Sequence, residues 1–417
     1  MSSAASQNGR HPGRNDGRVL RLMVLLCVAG IAMRMTILTV PPIIPLVHAE
    51  LAMSETQVGL LVGLPLAMFA LAAVPGSLLI ARTGPRFAVT TGLAVTAIAG
   101  AARAGASDIT TLYAAAIATG LGVAVTQPAM PTLVRAWLPK QIGLGTVVYS
   151  SGMLIGATLP PVVTIPYILP LVGGSWRINL LLWAIPAILI VPLFYFLSPR
   201  DEAEGGKGLA ADTRWWPDWT NSLVWLLGLT MGSNNASYFT TNAFLGDYLG
   251  TVGHPEMLSA ALEWLNGSQL LSLIGMFILA DRMQRQAWPY LIFGPMLLAA
   301  FVGMMMMPTP LGIIVTSAVI GFTTSITLTA TLALPALLGA PQDVPRTAAG
   351  MFTISYALAI IVPTISGALW DITGRPWATF APLCICAILL TVLGTVLTRR
   401  RSAEEVALRA AAEDPSR

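Results

Sequence analysis

Long uncharged stretches of apolar residues constrain this chain more than any other feature. Residues 87–102 and 291–307 contain no Asp, Glu, Lys or Arg, and each comes close to the roughly 20 apolar residues that cross the hydrocarbon core as a helix. Charged residues make up only 10% of the chain, against about 25% in soluble domains. These features exclude a soluble enzyme and predict an all-α membrane protein.

The apolar stretches predict twelve transmembrane helices. They are expected near residues 20–47, 56–80, 87–105, 109–136, 141–170, 176–197, 219–246, 257–280, 287–307, 311–338, 347–370 and 376–398. The polar residues 198–217 are expected to link two six-helix bundles, 19–197 and 218–398. Residues 1–18 and 399–417 are expected to be polar tails.

The distribution of Lys and Arg predicts how the helices are oriented. With the N-terminus in the cytoplasm, all but four of the 23 basic residues fall in cytoplasmic segments. The exceptions are Arg103, Arg177 and Arg375 in outer segments and Arg34 within helix 1. This positive-inside pattern predicts two cytoplasmic termini and a multi-pass protein of the plasma membrane (the inner membrane of a bacterium). The basic residues form no stripe interleaved with aromatic residues, so no nucleic-acid partner is expected.

Weak internal repetition indicates that the two bundles are pseudo-symmetric. Arg82 follows helix 2 as Arg282 follows helix 8, and Pro139 and Pro341 occupy matching loops at nearly the same offset. Duplicated halves with a solute site at their interface are common among secondary transporters.

The loop between helices 2 and 3 carries a family motif. Residues 76–86 read GSLLIARTGPR, which resembles the loop signature Gly-x-x-x-Asp-Arg-x-Gly-Arg-Arg of the major facilitator superfamily. Arg82, Gly84 and Arg86 match that signature, whereas Ala81 stands where the family has Asp. The second copy of the loop keeps Asp281 and Arg282. The resemblance implies that these five matching residues form conformational loops.

A narrower resemblance covers most of the chain. Arg34 followed by a Pro-rich stretch, Arg103 near the end of helix 3, the run from Gly143 to Tyr149, and residues 363–377 of helix 11 occur in the order typical of the cyanate/2-nitroimidazole porter group. Membership in that group implies a transporter but does not fix the solute, because the group's substrates are diverse.

Arg34 is the strongest candidate for binding the solute. It lies about twelve residues from each end of helix 1, roughly 18 Å at 1.5 Å per residue. A charged side chain at mid-bilayer costs about 2.5–3.5 kcal/mol, so Arg34 is expected to face a central cavity. Its planar guanidinium suits carboxylate-like or linear anions. The alternative is a structural role beside a buried acid or a helix end.

Glu263 is the candidate for proton coupling. Glu263, Asn266 and Gln269 recur every three residues and form one polar stripe on helix 8. Burial of this carboxyl group would favour its protonated form. The alternative is a solvated acid in an outer vestibule.

Helix 7 is unusually polar for a membrane helix. Asn234, Tyr238 and Thr241 fall at helical spacing and are expected to line the cavity, because unpaired polar groups are costly in lipid. Hydrogen bonding between helices is an equally good explanation. Further candidates for solute contact are Thr327 in helix 10, Gln127 in helix 4 and Tyr149 in helix 5, with close packing as the alternative.

The sequence therefore predicts a secondary transporter that takes up a small anionic or polar organic solute together with protons, by alternating access. Proton-antiport efflux of a drug or metabolite is the alternative, and a substrate sensor on a transporter scaffold is a further possibility. The superfamily's antiporters carry a Gly-x-x-x-Gly-Pro run in helix 5. Here Ala157 follows Gly152 and Gly156, which favours uptake. The sequence contains no Walker loop, metal-ligand cluster or nucleophile–base pair, so no cofactor and no catalysis are expected.

Overall fold

Twelve long helices make up the fold. The structure is a computed structural model, and it describes residues 12–53, 55–199, 215–283 and 286–413, among which no strand occurs. The helices are α1 (Pro12–Leu38), α2 (Glu55–Thr83), α3 (Pro85–Ala102), α4 (Ile109–Trp137), α5 (Ile142–Val163), α6 (Trp176–Leu197), α7 (Ser222–Thr251), α8 (Leu258–Met283), α9 (Trp288–Met306), α10 (Pro310–Leu338), α11 (Val344–Thr373) and α12 (Ala381–Glu413). The prediction of twelve helices is confirmed, while most of the predicted linker lies outside the described residues.

Ten of these helices are long and apolar enough to cross a membrane, counted over the described part of the chain. The other two, α7 and α8, carry four polar residues that line a central cavity, Asn234, Asn235, Tyr238 and Gln269. We call the end of the bundle at which α1 begins the terminal end and the opposite end the far end.

The predicted first helix, 20–47, is interrupted near the far end. Helix α1 stops at Leu38, and a 3₁₀ turn (Pro41–Ile43) and a short helix (Ile44–Leu51) follow. Proline residues at the break provide no backbone N–H for a continuing helix. The buried Arg103 donates from Nη1 to the carbonyl of Thr36 at 2.9 Å, which satisfies one of the last carbonyls of α1.

The short helix after the break is held at the far end by a carboxylate. Trp176 donates from Nε1 to Glu50 at 2.6 Å, and the guanidinium of Arg177 forms an ion pair with the same carboxylate. The hydrogen bond from Arg177, followed by that from Trp176, lowers the pKa of the Glu50 carboxyl. These contacts hold the short helix that follows α1, the helix that carries Arg34, in place at the far end.

Two further boundaries differ from the sequence-based ones. Helix α5 ends at Val163 and passes into a π-helical turn (Thr164–Ile168), whereas 141–170 was expected to be one helix. Two consecutive prolines in the last turn of α5 explain the change of winding, because neither offers a backbone N–H. Helix α12 continues to Glu413, into the segment expected to be a tail.

The packing of the helices repeats between the first six and the second six. Helix α1 packs on α5 and α6 as α7 packs on α11 and α12, and α4 packs on α2 and α3 as α10 packs on α8 and α9. Between the two bundles, α2 packs on α11 and α5 packs on α8. The prediction of two pseudo-symmetric six-helix bundles is therefore confirmed, and any cavity between them lies among α1, α4, α7 and α10 and these interface helices.

Glycines allow α1 and α5 to touch along their backbones. A Cβ added at Gly152 would overlap the carbonyl of Cys27, and one added at Gly156 would overlap the carbonyl of Ile31. We expect Gly152→Ala to lower the free energy of unfolding by about 1–3 kcal/mol, as overpacking does. Gly275→Ala is the matched control, because nothing lies within 4 Å of its added Cβ. Thermal unfolding of the two variants checks this, and an equal melting temperature for both would contradict it.

Hydrogen bonds join the two bundles at the terminal end. Arg135, near the end of α4, donates from Nη1 to the carbonyls of Ala336 (2.7 Å) and Gly339 (2.5 Å) at the end of α10. Nearer the middle, Thr329 donates from Oγ1 to Ser150 Oγ at 3.2 Å. The bonds of Arg135 thus hold the halves together at the terminal end.

Candidate functional site

A cavity lies at the middle of the bundle, between the two halves. Its volume is about 100 Å³, whereas roughly 10–15 Å³ is enough to hold one water molecule. The space therefore suits several waters or one small organic solute. Five helices line it, with the residues Arg34, Leu38, Ser150, Met153, Leu154, Ala157, Asn234, Asn235, Tyr238, Phe239, Gln269, Thr324 and Leu328.

Arg34 lines this cavity, as the sequence predicts. Its side chain is half-buried, and its Nη2 donates to the hydroxyl of Tyr356 at 3.3 Å. The ion pairs found within residues 12–53, 55–199, 215–283 and 286–413 do not include Arg34. The guanidinium thus has a phenol as its partner and carries its positive charge into the cavity without a carboxylate from the described residues.

Tyr356 is a site residue that the sequence analysis missed. It lies on α11 in the second half, is 0% exposed, and is absent from the cavity lining. Its hydroxyl also pairs with the side-chain amide of Gln127, which donates from Nε2 at 2.8 Å. Gln127 was expected to touch the solute, but it lies behind Arg34 as a partner of Tyr356. The available signal was the one tyrosine near the middle of an uncharged predicted helix.

Two asparagines of α7 line the cavity wall opposite α1. Asn234 accepts from Thr327 Oγ1 at 2.7 Å, and Asn235 donates from Nδ2 to Ser355 Oγ at 2.8 Å. Asn234 lines the cavity as predicted, whereas Thr327 is fully buried behind it. Thr327 therefore supports Asn234 and does not reach the cavity, contrary to the expectation of solute contact.

A second network connects α7 to α8. Tyr238 donates from its hydroxyl to Asn266 Oδ1 at 2.7 Å, and Gln269 donates from Nε2 to the same oxygen at 3.3 Å. Tyr238 and Gln269 line the cavity, so the prediction for Tyr238 agrees with its position. Thr241 does not line it, because its hydroxyl is fully buried and donates to the carbonyl of Ser237 on its own helix.

Tyr149 also lies away from the cavity. It is 1% exposed, and its hydroxyl has no hydrogen-bond partner among the described residues. It packs where α5 meets Gly30 of α1. The next turns of α5 provide lining residues instead, beginning with Ser150 and Met153.

Glu263 is exposed and does not line the cavity. Its carboxylate accepts from Ser259 Oγ at 3.2 Å, one turn earlier on α8. The expectation of a buried carboxyl group is therefore wrong, because the polar stripe on α8 is half-buried at Asn266 and buried only at Gln269. As lined by the described residues, the cavity contains no Asp, Glu or His side chain.

The motif loops lie at the terminal end, away from the cavity. Gly84 has a φ of +83° and precedes α3, a backbone conformation that favours glycine. Arg86 is 5% exposed and donates to Ser198 Oγ and to the carbonyl of Tyr195, both at 2.6 Å. These bonds link α3 to the end of α6 within the first half. Arg82 and Arg282 are exposed, and the side chain of Asp281 lies outside the described residues.

Curated relatives match this chain over nearly its whole length. It is 26% identical to the uncharacterized transporter YycB of Bacillus subtilis (strain 168), covering 91% of this chain and 94% of the relative. It is 24% identical to the cyanate transport protein CynX of Escherichia coli (strain K12), covering 89% and 96%. It is also 24% identical to the 2-nitroimidazole transporter of the same strain, covering 94% and 98%. The resemblance to the cyanate/2-nitroimidazole porter group is thus confirmed.

Solved structures confirm the fold. The crystal structure of the transporter FucP in the outward conformation superposes with a TM-score of 0.72 at 12% identity, covering 91% of this chain and 99% of FucP. The proton:xylose symporter XylE superposes with a TM-score of 0.69 at 13% identity, covering 92% and 95%. The family model of the Major Facilitator Superfamily matches residues 22–362. The chain belongs to the Major Facilitator Superfamily.

Proposed function

We propose that this chain is a secondary active transporter of a small organic anion with a single negative charge. The observation that carries the proposal is the charge of the cavity: Arg34 is the one charged side chain among the described residues that line it. A guanidinium at this depth is costly unless an opposite charge or several acceptors meet it. An anionic solute would provide both.

The rest of the lining favours a solute with an apolar body. Leu38, Met153, Leu154, Phe239 and Leu328 all contact the cavity. A second negative charge on the solute would lie against these side chains without a cation, and burying an unpaired charge is unfavourable. A monoanion with an apolar or aromatic body therefore fits this cavity better than a dianion does.

We propose that the two halves, 19–197 and 218–398, rock about this cavity while residues 198–217 connect them. The terminal end would face the cytoplasm, because the Lys and Arg residues concentrate there. Proton-coupled uptake is the favoured direction, supported by the ability of a superfamily member such as XylE to act as a proton symporter. Glu263 remains the proposed coupling acid, as an exposed group near the start of α8 at the far end. Proton-antiport efflux is the alternative.

Thermal stabilisation tests the charge of the solute. We expect benzoate to raise the melting temperature of the purified protein, whereas its neutral analogue benzamide and the cation benzylamine do not. A ligand at 100 times its dissociation constant stabilises the folded state by about 2.7 kcal/mol. Acetate and cyanate belong in the same panel, since they separate the contribution of the charge from that of the apolar body. Stabilisation by benzylamine alone would contradict the anion proposal and favour efflux of a cationic drug.

Flux into liposomes separates the transport modes. Benzenesulfonate is suitable because it stays ionised and so does not cross lipid as a neutral acid. Under symport, its addition outside acidifies the lumen, read with an entrapped pH dye. Under antiport, the lumen becomes more alkaline. Binding without any flux would instead indicate a sensor.

A further inference from the structure

We infer that Tyr356 is a positioning residue that holds the Arg34 guanidinium in place for the anion, across the interface of the two halves. This inference rests on the proposed function, since it assigns Arg34 the role of anion ligand. The contact joins α11 of the second half to α1 of the first, with Arg34 Nη2 3.3 Å from the Tyr356 hydroxyl.

The tyrosine itself is rigidly held. Its ring packs edge-on against Phe69 of α2 at a centroid distance of 4.9 Å and stacks with Phe352 at 6.3 Å. Its hydroxyl is fixed by both amide atoms of Gln127, which donates at 2.8 Å and accepts at 3.1 Å. Because the ring and hydroxyl are both held, the oxygen that accepts from Arg34 has one defined position.

This arrangement leaves the guanidinium free to bind a solute. Tyr356 is fully buried and does not line the cavity, whereas Arg34 is half-buried and does. An arginine has five N–H donors in a planar fork, and Tyr356 uses only the Nη2 side. The remaining donors can meet a planar carboxylate, while Tyr356 holds the Nη2 end of the fork. An anion can therefore bind without displacing the tyrosine.

The position of Tyr356 on α11 makes the anion site depend on both halves. Arg34 and Gln127 belong to the first half, and the hydroxyl that joins them belongs to the second. A guanidinium without this contact must be immobilised when the anion binds. Immobilising one long side chain typically costs about three- to tenfold in affinity.

Tyr356→Phe tests the contact without any solute. Phenylalanine keeps the ring packing and removes only the hydroxyl. We expect the rate at which phenylglyoxal modifies Arg34, measured by mass spectrometry on the full chain, to rise about three- to tenfold, which is the increase in unbonded guanidinium expected when one hydrogen bond is lost. Tyr290→Phe is the matched control, because Tyr290 is likewise buried and its hydroxyl bonds to Thr331 within the second half. Equal Arg34 modification in the parent and both variants would overturn the inference.

Benzoate affinity tests the role in binding. We expect Tyr356→Phe to weaken benzoate about three- to tenfold and Tyr290→Phe to change it less than twofold. In the Arg34→Lys background, Tyr356→Phe should not weaken benzoate further, because an ammonium group has no planar fork that needs to be oriented. Equal losses in the Arg34 and Arg34→Lys backgrounds would show a general structural effect and reject the positioning role. If Tyr356→Phe speeds the modification of Arg34 but the parent does not bind benzoate, the proposed anion is rejected, whereas the contact between Tyr356 and Arg34 is supported.

Discussion

Arg34→Ala is expected to remove anion binding while leaving a folded protein. Truncating one partner of a buried, hydrogen-bonded charge pair typically costs 2–5 kcal/mol, so benzoate affinity should fall more than about thirtyfold. The folded state itself should lose little, because Arg34 makes a single 3.3 Å hydrogen bond to Tyr356 and no ion pair with the described residues. Its removal also relieves the cost of a charge within the membrane.

Titration of benzoate into the parent and the variant, followed by thermal unfolding, measures this effect. Arg375→Ala is the control, since Arg375 is an exposed arginine of a far-end loop that lies over the ring of Trp377 and outside the cavity lining. We expect Arg375→Ala to keep the parent's response to benzoate. An unchanged response in Arg34→Ala would show that Arg34 does not bind the anion, and a large loss of stability without any ligand would make it a structural residue.

The position of Arg34 could be predicted because a charged side chain in an apolar helix is tolerated in few environments. Its depth in helix 1 and the cost of lipid exposure required a polar interior, and the structure provides one. The same reasoning could not find Tyr356. A tyrosine in a membrane helix is tolerated in several environments. Its presence alone therefore does not indicate whether its hydroxyl meets lipid headgroups, solute or a buried partner.

Helix α7 shows why the face of a polar helix is hard to assign from sequence. Asn234 and Tyr238 were correctly expected at the cavity, but Asn235 was missed and Thr241 was included. The hydroxyl of Thr241 donates to the carbonyl four residues earlier, which lets a threonine be buried in packing without another partner. The amide of Asn235 instead bonds across to Ser355. Helical spacing alone does not separate these cases, because both faces of α7 carry polar residues.

Glu263 illustrates a different limit of the sequence. Its spacing with Asn266 and Gln269 correctly predicted a shared stripe, and the latter two hydrogen bond to each other. Which residues of that stripe are buried depends on how the two halves pack. That packing is a property of the fold, so the exposure of Glu263 could not be read from α8 alone.

Arg135→Ala is expected to open the terminal end. Arg135 donates to the carbonyls of Ala336 and Gly339, which belong to the last turn of α10 and its C-cap and lack partners from a continuing helix. The guanidinium also meets the negative end of that helix dipole. Ala336 lies 201 residues after Arg135 and so occupies the matching position in the pseudo-symmetric second half. Because alanine has no side-chain donor, the second half has no equivalent hydrogen bond from this position to α4.

Losing hydrogen bonds from a charged donor typically costs about 1.5–3 kcal/mol, so the equilibrium should shift about 10- to 150-fold towards the arrangement open at the terminal end. Spin labels at Lys140→Cys and Gln342→Cys, both exposed loop positions in opposite halves, report the separation once Cys27, Cys384 and Cys386 are replaced. We expect longer distances in Arg135→Ala but not in Arg346→Ala, whose ion pair with Asp343 at 2.7 Å stays within the second half. An unchanged distance distribution in Arg135→Ala would mean that other contacts between the halves, such as the packing of α2 on α11 and of α5 on α8, keep the terminal end closed without this arginine.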